Sequence, residues 1–292
     1  MNDYKTIREI ADIEEYIGNA DVIAFDFETS PTDEYRSDEK AALDAHKSDI
    51  TGMSISVEKG TGRYIPFRHR VGVNADIPTV MEYLRQRLFQ HPNTVKIAHN
   101  MAFEAMFLYK DGIVLQEPVY DTIVASQLTL KNDYEFRDLS DSGLKTLVPY
   151  LYGVELPKFE EVVGERSFDE LDPDAWDTCR YACADSDWAL QLYDTFNQWF
   201  ENNIPKHRFI CESIESPTAV FTGMMKYNGV LVDTKLMQQK KEEAERERER
   251  KMQRAVLTIR KKYGKNAILK GMNLEEGATV KDWSEQIGAH KA

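Results

Sequence analysis

Asp26 and Glu28 stand two residues apart inside the apolar run DVIAFDFE, residues 21–28. The run is short and rich in residues typical of buried β-strands, and residues two apart in a strand point to the same face. Two carboxylates on one face of a buried strand destabilise it unless a cation compensates their charge. Hard divalent cations such as Mg²⁺ bind carboxylate oxygens, so the spacing indicates a metal site. The simpler alternative is a solvated strand end.

Tyr181 and Asp185 lie four residues apart in the helical segment RYACADSDWALQLY and therefore share one helix face. The apolar residues around them place that face near the packed side of the helix. Asp187 is rotated away from Asp185 by about 200°, at 100° per residue. We therefore expect Asp185, and not Asp187, to join a buried acidic site. A Tyr–Asp pair on the protein surface is the simple alternative.

Glu104 is the third candidate carboxylate, and it comes after a predicted strand at 94–100. Asn100 is a natural N-cap for the helix that comes next. Glu104 then falls in the first helical turn or just after it, where the helix dipole favours a negative charge. His99 has no second histidine at ligand spacing, so it is predicted to be a polar residue at the strand end.

The elements that must position these residues are predicted from hydrophobic periodicity. Strands are predicted at 21–28, 50–57 and 94–100, with RYIPF as a hairpin return from the second. Segments with helical spacing are 77–90, 101–112, 121–130, 143–153 and 174–200. Two to four strands followed mainly by helices predict an α/β fold with a mixed sheet flanked by helices.

A domain boundary is predicted near the polar segment ENNIPKH, which gives domains at 1–203 and 204–292. The chain of 292 residues, with 42% hydrophobic and 30% charged residues, suffices for one large domain or two ordinary ones. No run approaches the roughly 20 apolar residues of a membrane helix, and the N-terminus has no signal-peptide pattern. Three cysteines without CxxC spacing argue against a disulfide framework. We therefore expect a cytoplasmic protein without a membrane partner.

The net charge of −13 is unevenly distributed along the chain. Residues 235–270 contain 13 Lys or Arg and five Glu, a net charge of +8. Within 251–270 there are seven basic residues and no acidic one. Such a run is typical either of a solvated helix face or of a contact with nucleic-acid phosphates. The candidate DNA phosphate contacts are Lys251, Arg254, Arg260, Lys261 and Lys262.

Three motifs, in this order, resemble the Tyr-containing branch of the DEDD exonuclease superfamily. They are FDFET at 25–29, AHNMAFEAMFL at 98–108 and YACAD at 181–185. The closest resemblance is to the proofreading domain of family A DNA polymerases of the phage kind. It covers roughly residues 20–200 and is specific, because order and spacing agree across three separate segments. It implies a ribonuclease H-like exonuclease fold, here with a helical C-terminal extension.

The resemblance also implies roles for individual residues. Asp26, Glu28 and Asp185 would hold one divalent ion, Mg²⁺ or Mn²⁺. Asp26 would also bind a second ion together with Glu104, while Tyr181 and Glu28 would orient the attacking water. The second motif of the family usually ends in Asp, so Glu104 carries its carboxylate one methylene further out. Substrate-binding candidates are Thr29, Asn100, Phe103 and Phe107, although both phenylalanines are better explained as core residues.

The implied reaction is hydrolysis of DNA from a single-stranded 3′ end or a primer–template, releasing nucleoside 5′-monophosphates. Residues 212–233 resemble the opening of the family A polymerase region, and the long charged helix after them resembles the start of the thumb. The later polymerase motifs are absent from the sequence, so a polymerase domain or a separate chain is an expected partner. Two alternatives stay open: an RNA 3′ exonuclease of the RNase D kind, and a non-catalytic scaffold with the exonuclease fold.

Overall fold

The computed structural model describes residues 2–130 and 141–264. Its centre is a mixed six-stranded sheet with the order β1-β4-β3-β2-β5-β6. The strands are β1 (Asp3–Thr6), β2 (Val22–Pro31), β3 (Ser48–Ser56), β4 (Thr61–Pro66), β5 (Val95–Ala98) and β6 (Val119–Asp121). The chain runs antiparallel from β2 through β3 to β4, whereas β1 is parallel to β4, and β2, β5 and β6 are parallel to one another.

Helices account for most of the remaining described residues. They are α1 (Ile10–Ile17), α2 (Ile77–Leu84), α3 (Met101–Lys110), α4 (Thr122–Thr129), α5 (Leu144–Tyr152), α6 (Phe159–Val163), α7 (Trp176–Asn203), α8 (Pro205–Ile210), α9 (Ser216–Asn228) and α10 (Thr234–Tyr263). A π-helical turn, Cys211–Glu215, joins α8 to α9. Within residues 2–130 and 141–264, none of the helices combines the length and apolarity that a membrane crossing needs.

The alternation of side chains along β2 divides the interior into two clusters. Phe25 and Phe27 belong to the cluster on the side of α1, α2 and α3, whereas Ala24 belongs to the cluster on the side of α4, α5 and α7. Successive strand residues point to opposite faces. Asp26 and Glu28 therefore lie on the same face as Ala24, the face that α7 covers along β1 to β5.

The structure confirms the predicted fold class, a mixed sheet flanked by helices, and the strands expected at 21–28, 50–57 and 94–100. The sheet is larger than predicted because β1 and β6 were not expected. These two strands have four and three residues and lie at the sheet edges. A period-2 pattern cannot be recognised over so few residues.

The described residues divide into two compact units, the first ending at Gly229 and the second beginning at Val230. The first unit extends past the boundary expected at 203, because α9 packs against α3 and shares its core cluster. In the second unit α10 begins after Asp233, whose carboxylate accepts a hydrogen bond from the backbone N–H of Leu236 at 2.9 Å. The rest of the predicted segment 204–292, after Gly264, lies outside the described residues.

Candidate active site and metal centre

Three of the predicted carboxylates meet on the α7 side of the sheet. Asp26 and Glu28 come from β2 and Asp185 from α7, and one oxygen of each lies within 4.8 Å of the others. Glu28 is buried at 7% exposure, and its Oε1 has no hydrogen-bond donor in the described part of the chain. Buried acceptors that lack donors are costly unless a cation is bound. The donor set, all carboxylate oxygens, fits Mg²⁺ or Mn²⁺.

Glu104 lies in the first turn of α3 and is 1% exposed. Its Oε2 likewise finds no hydrogen-bond partner within residues 2–130 and 141–264. Its oxygens do not join the 4.8 Å group. Burial raises its pKa well above the usual value, and the negative charge of Asp26 raises it further. Glu104 is therefore close enough to Asp26 for their charges to interact.

Burial of the carboxylates raises their proton affinities, and repulsion adds to this effect for Asp26, Glu28 and Glu104. Burial raises the pKa of Asp26 and Glu28 well above the usual values, and the charge of Asp185 raises both further. Burial also raises the pKa of Asp185, against the lowering effect of the Lys145 ammonium. Each of these carboxylates thus binds a proton more tightly than a solvent-exposed carboxylate does. A bound cation would favour the ionised form instead.

Lys145 is a site residue that the sequence did not reveal. It lies on α5, and its Nζ donates a hydrogen bond to the Tyr181 hydroxyl at 2.8 Å and lies 3.4 Å from an oxygen of Asp185. Burial raises the pKa of Tyr181, and the nearby carboxylates Glu28, Asp185 and Asp26 raise it further. The phenol therefore stays protonated at neutral pH. Because Lys145 occupies a lone pair of the phenol oxygen, the phenol proton is free to be donated elsewhere.

The Asp121 carboxylate, at the end of β6, binds the first backbone N–H groups of α3, the helix that carries Glu104. It accepts hydrogen bonds from the backbone N–H of Asn100 at 3.2 Å and of Met101 at 3.0 Å. The predicted cap is therefore wrong in detail: Asn100 occupies the N-cap position, with φ of 90°, but its side chain makes no cap hydrogen bond. A left-handed backbone is sterically unfavourable for a residue other than glycine, and Asn tolerates it better than most.

A groove of about 650 Å³ opens beside the carboxylates. Thr29 and Phe103 line it, as expected of substrate-binding residues, and the Thr29 hydroxyl donates to the carbonyl oxygen of Ala42 at 2.6 Å. Phe107 is corrected to a core residue, because it is fully buried and cannot stack on a nucleobase. Asn100 is exposed at the start of α3. Lining residues not expected from the sequence include Lys40, Leu43, Phe159 and Arg166.

The basic residues predicted to contact phosphates lie in the second unit, on α10. No described residue of this helix is buried. Lys251 forms an ion pair with Glu247 at 2.8 Å, one turn earlier, as expected for a solvated charged helix. Lys251, Arg254, Lys261 and Lys262 are exposed, and Arg260 is partly exposed.

Comparison with protein families gives a match to the 3′–5′ exonuclease family over residues 3–201. DNA polymerase I of Pseudomonas aeruginosa is 27% identical over 227 residues, which are 75% of this chain and 23% of that protein. DNA polymerase I of Chloroflexus aurantiacus is 25% identical over 79% of this chain and 22% of its own length. The chain therefore spans less than a quarter of the length of these curated relatives.

Solved structures show the same fold. NrnC of Brucella melitensis superposes with a TM-score of 0.56 at 21% identity, covering 80% of this chain and 98% of that one. RNase D of Escherichia coli, an exoribonuclease involved in structured RNA processing, superposes with a TM-score of 0.51 at 17% identity, covering 79% and 52%. At these identities the likeness establishes the fold.

Proposed function

The chain belongs to the 3′–5′ exonuclease family that matches residues 3–201, and we propose that it hydrolyses DNA from the 3′ end with two divalent ions. The observation that carries the proposal is the meeting of Asp26, Glu28 and Asp185 within 4.8 Å on a face with unpaired buried oxygens. A structural role for three such carboxylates would call for donors to pair with them. In the proposed site, bound cations take the place of these donors, and the phosphate of the substrate binds to the cations.

Each site residue is proposed to have its own part in the reaction. Asp26, Glu28 and Asp185 would hold one ion, and Asp26 with Glu104 the other. Two such ions, Mg²⁺ or Mn²⁺, would lower the pKa of the attacking water and stabilise the charge that develops at phosphorus. Tyr181 keeps its proton and donates a hydrogen bond that orients the water, with Glu28 as the acceptor. The product is a nucleoside 5′-monophosphate.

Thr29, Phe103 and Asn100 are proposed to contact the terminal nucleotides. Thr29 and Phe103 line the groove next to Asp26, and Asn100 precedes the helix of Glu104. Phe103 is partly buried and lines the groove, and we propose that its ring contacts a terminal base there. Loss of one such aromatic contact typically costs about 1–3 kcal/mol of binding.

The test is a time course on a single-stranded DNA oligonucleotide labelled at its 5′ end, with Mg²⁺ or Mn²⁺ and with EDTA. We expect a ladder that shortens one nucleotide at a time from the 3′ end, and no product in EDTA. Asp26→Ala should abolish the ladder, whereas Asp177→Ala, an exposed carboxylate at the start of α7, should leave it unchanged. Metal binding without hydrolysis by the unsubstituted chain would indicate a scaffold.

DNA is proposed as the substrate because the curated relatives are named DNA polymerases. An RNA oligonucleotide of the same sequence, assayed beside the DNA, tests the alternative of an RNase D-like activity. A kcat/KM at least tenfold higher for RNA would contradict the proposal. The reverse preference would support it.

The polymerase relatives also suggest a proofreading role. We propose that the chain acts with a polymerase region, as the resemblance of residues 212–233 to the opening of such a region suggests. A primer–template with a mismatched 3′ end should then be degraded faster than a matched one, since fraying supplies the single-stranded end. Equal rates on both would argue against proofreading.

A further inference from the structure

Helix α9 packs against α3 so closely that their backbones touch. Gly223 is buried at the crossing, where a β-carbon would overlap the carbonyl oxygen of Ala102 and lie 3.0 Å from both the Cβ of Ala105 and the backbone N of Met106. Glycine in a helix is normally unfavourable. Its presence here is explained by the contact, because any larger residue would push α3 away.

The beginning of α9 is tied to the beginning of α3 through Asp121. The Ser216 hydroxyl, fully buried, accepts a hydrogen bond from the backbone N–H of Asp121 at 3.0 Å. The Asp121 carboxylate in turn accepts from the backbone N–H of Asn100 and Met101. The register of the first turn of α3, which carries Glu104, thus depends on α9.

The end of α9 completes the support. The Tyr227 ring makes an edge-to-face contact with Tyr109 at the end of α3, with centroids 5.6 Å apart. Tyr227 also stacks on His46 at 4.5 Å, and His46 Nε2 bonds its carbonyl oxygen at 2.7 Å. His46 lies in the segment between β2 and β3 that also carries Leu43 of the groove. One helix therefore contacts both the Glu104 helix and the groove wall.

We propose that α9, through Gly223, is a positioning element that sets the distance between Glu104 and the other three carboxylates. The inference rests on the proposed function, since Glu104 is taken as the ligand of the second ion. Residues 102, 105 and 106 of α3 face α9 at the crossing. A shift of α3 by more than about half an ångström exceeds what a metal site tolerates. Gly223 is thus a positioning residue that acts through Glu104.

The experiment measures Mn²⁺ binding by calorimetry, together with thermal unfolding and steady-state hydrolysis, in the full chain. Gly223→Ala should weaken the second Mn²⁺ about tenfold or more, the usual effect of disturbing the support of a metal ligand. The same variant should lower kcat with little change in KM for the oligonucleotide. Gly223→Val should weaken Mn²⁺ binding more strongly than Gly223→Ala does. If the valine variant does not fold, the result for Gly223→Ala decides the test.

A double-mutant cycle separates positioning from general destabilisation. Glu104→Gln should weaken the second Mn²⁺ by itself, and Gly223→Ala should then add almost nothing, because both act on one ligand. Thr222→Ala, on the same helix, should bind Mn²⁺ as the wild type does. Ile13→Ala, in α1 away from the site residues, should lower the unfolding temperature without changing Mn²⁺ binding.

Wild-type Mn²⁺ binding in Gly223→Ala would overturn the inference, and so would full additivity with Glu104→Gln. An equal loss in Ile13→Ala would overturn it too, since stability alone would then explain the effect. If the wild type binds two Mn²⁺ but hydrolyses nothing, the proposed function fails while the cycle still decides the inference. Absence of Mn²⁺ binding by the wild type would overturn both.

Discussion

At the scale of single residues, the burial of four carboxylates, reinforced by repulsion between some of them, determines how the stability of the metal-free protein depends on pH. Asp26, Glu28, Glu104 and Asp185 all have raised pKa values, chiefly because they are buried. The folded state therefore binds protons more tightly than the unfolded state does. Stability from these groups is fully present below their unfolded pKa values and is lost as the pH rises through their folded pKa values.

Asp26→Asn is predicted to raise the unfolding temperature in EDTA at pH 7.5 by roughly 2–4 °C, the shift that about 1 kcal/mol produces in a domain of this size. It should also flatten the decline in stability between pH 5 and 8, because one of the repelling charges is gone. Thermal unfolding across this pH range is the measurement, with the exposed Asp177→Asn as control. A decline as steep as in the wild type would count against the repulsion.

Tyr181→Phe is predicted to lower kcat by roughly tenfold to a hundredfold, and Asp185→Asn by about a thousandfold or more. In the proposed mechanism the phenol orients a water, whereas Asp185 holds an ion. Single-turnover rates at saturating Mn²⁺ measure the difference. If both variants lost activity equally, Tyr181 would have to do more than position the water, for instance by holding Lys145, to which its hydroxyl is hydrogen-bonded, in place beside Asp185.

Site residues differ in how well the sequence reveals them. Asp26, Glu28 and Asp185 could be predicted because three motifs in the right order resemble those of a known exonuclease superfamily, whereas the spacing of each pair alone is a weak signal. Lys145 could not, since a single lysine on an amphipathic helix has no spacing signal. Its role depends on the contact between α5 and α7, which joins residues 36 positions apart.

At the scale of elements, α9 belongs to the nuclease unit and not to the unit that contains α10. Ending the chain at Gly229 is predicted to leave hydrolysis of short oligonucleotides within about twofold of the full chain, because the first compact unit stays intact. Ending it at Asn203 should reduce kcat by tenfold or more and lower the unfolding temperature. It removes Ser216, Gly223 and the buried Val220 from the core around α3.

Rates and unfolding curves of the two shortened chains, measured side by side, decide between the boundaries. Full activity of the chain ending at Asn203 would restore the boundary expected from the sequence. That expectation relied on the polar segment ENNIPKH, which has the composition of a linker. The contact between Gly223 and Ala102 joins residues that are distant in the sequence, so a local sequence pattern could not predict it. The short edge strands β1 and β6 escaped prediction for a similar reason: their partners fix them.

At the scale of the whole molecule, the acidic nuclease and the basic second unit are predicted to contribute differently to DNA binding. Removing residues 230–292 should weaken binding to long primer–template DNA and flatten the dependence of log K on log[salt]. The slope is about −0.9 per phosphate contact on duplex DNA, so loss of three to five contacts changes it by roughly 3–5. Fluorescence anisotropy between 50 and 200 mM salt measures both quantities. Equal slopes for the two chains would show that α10 does not contact DNA phosphates and is simply a solvated charged helix.

The long sequence separation within the site has a consequence for the order of events during synthesis. Asp26 and Glu28 leave the ribosome early, but Asp185 emerges only after more than 150 further residues, and the Tyr4–Asp187 hydrogen bond spans 183. Until α7 is synthesised, the face of β2 that carries the two carboxylates lacks the helix that covers it in the folded protein. On the proposed mechanism a nascent chain without α7 lacks one metal ligand, so we expect hydrolysis to begin only after this late helix docks.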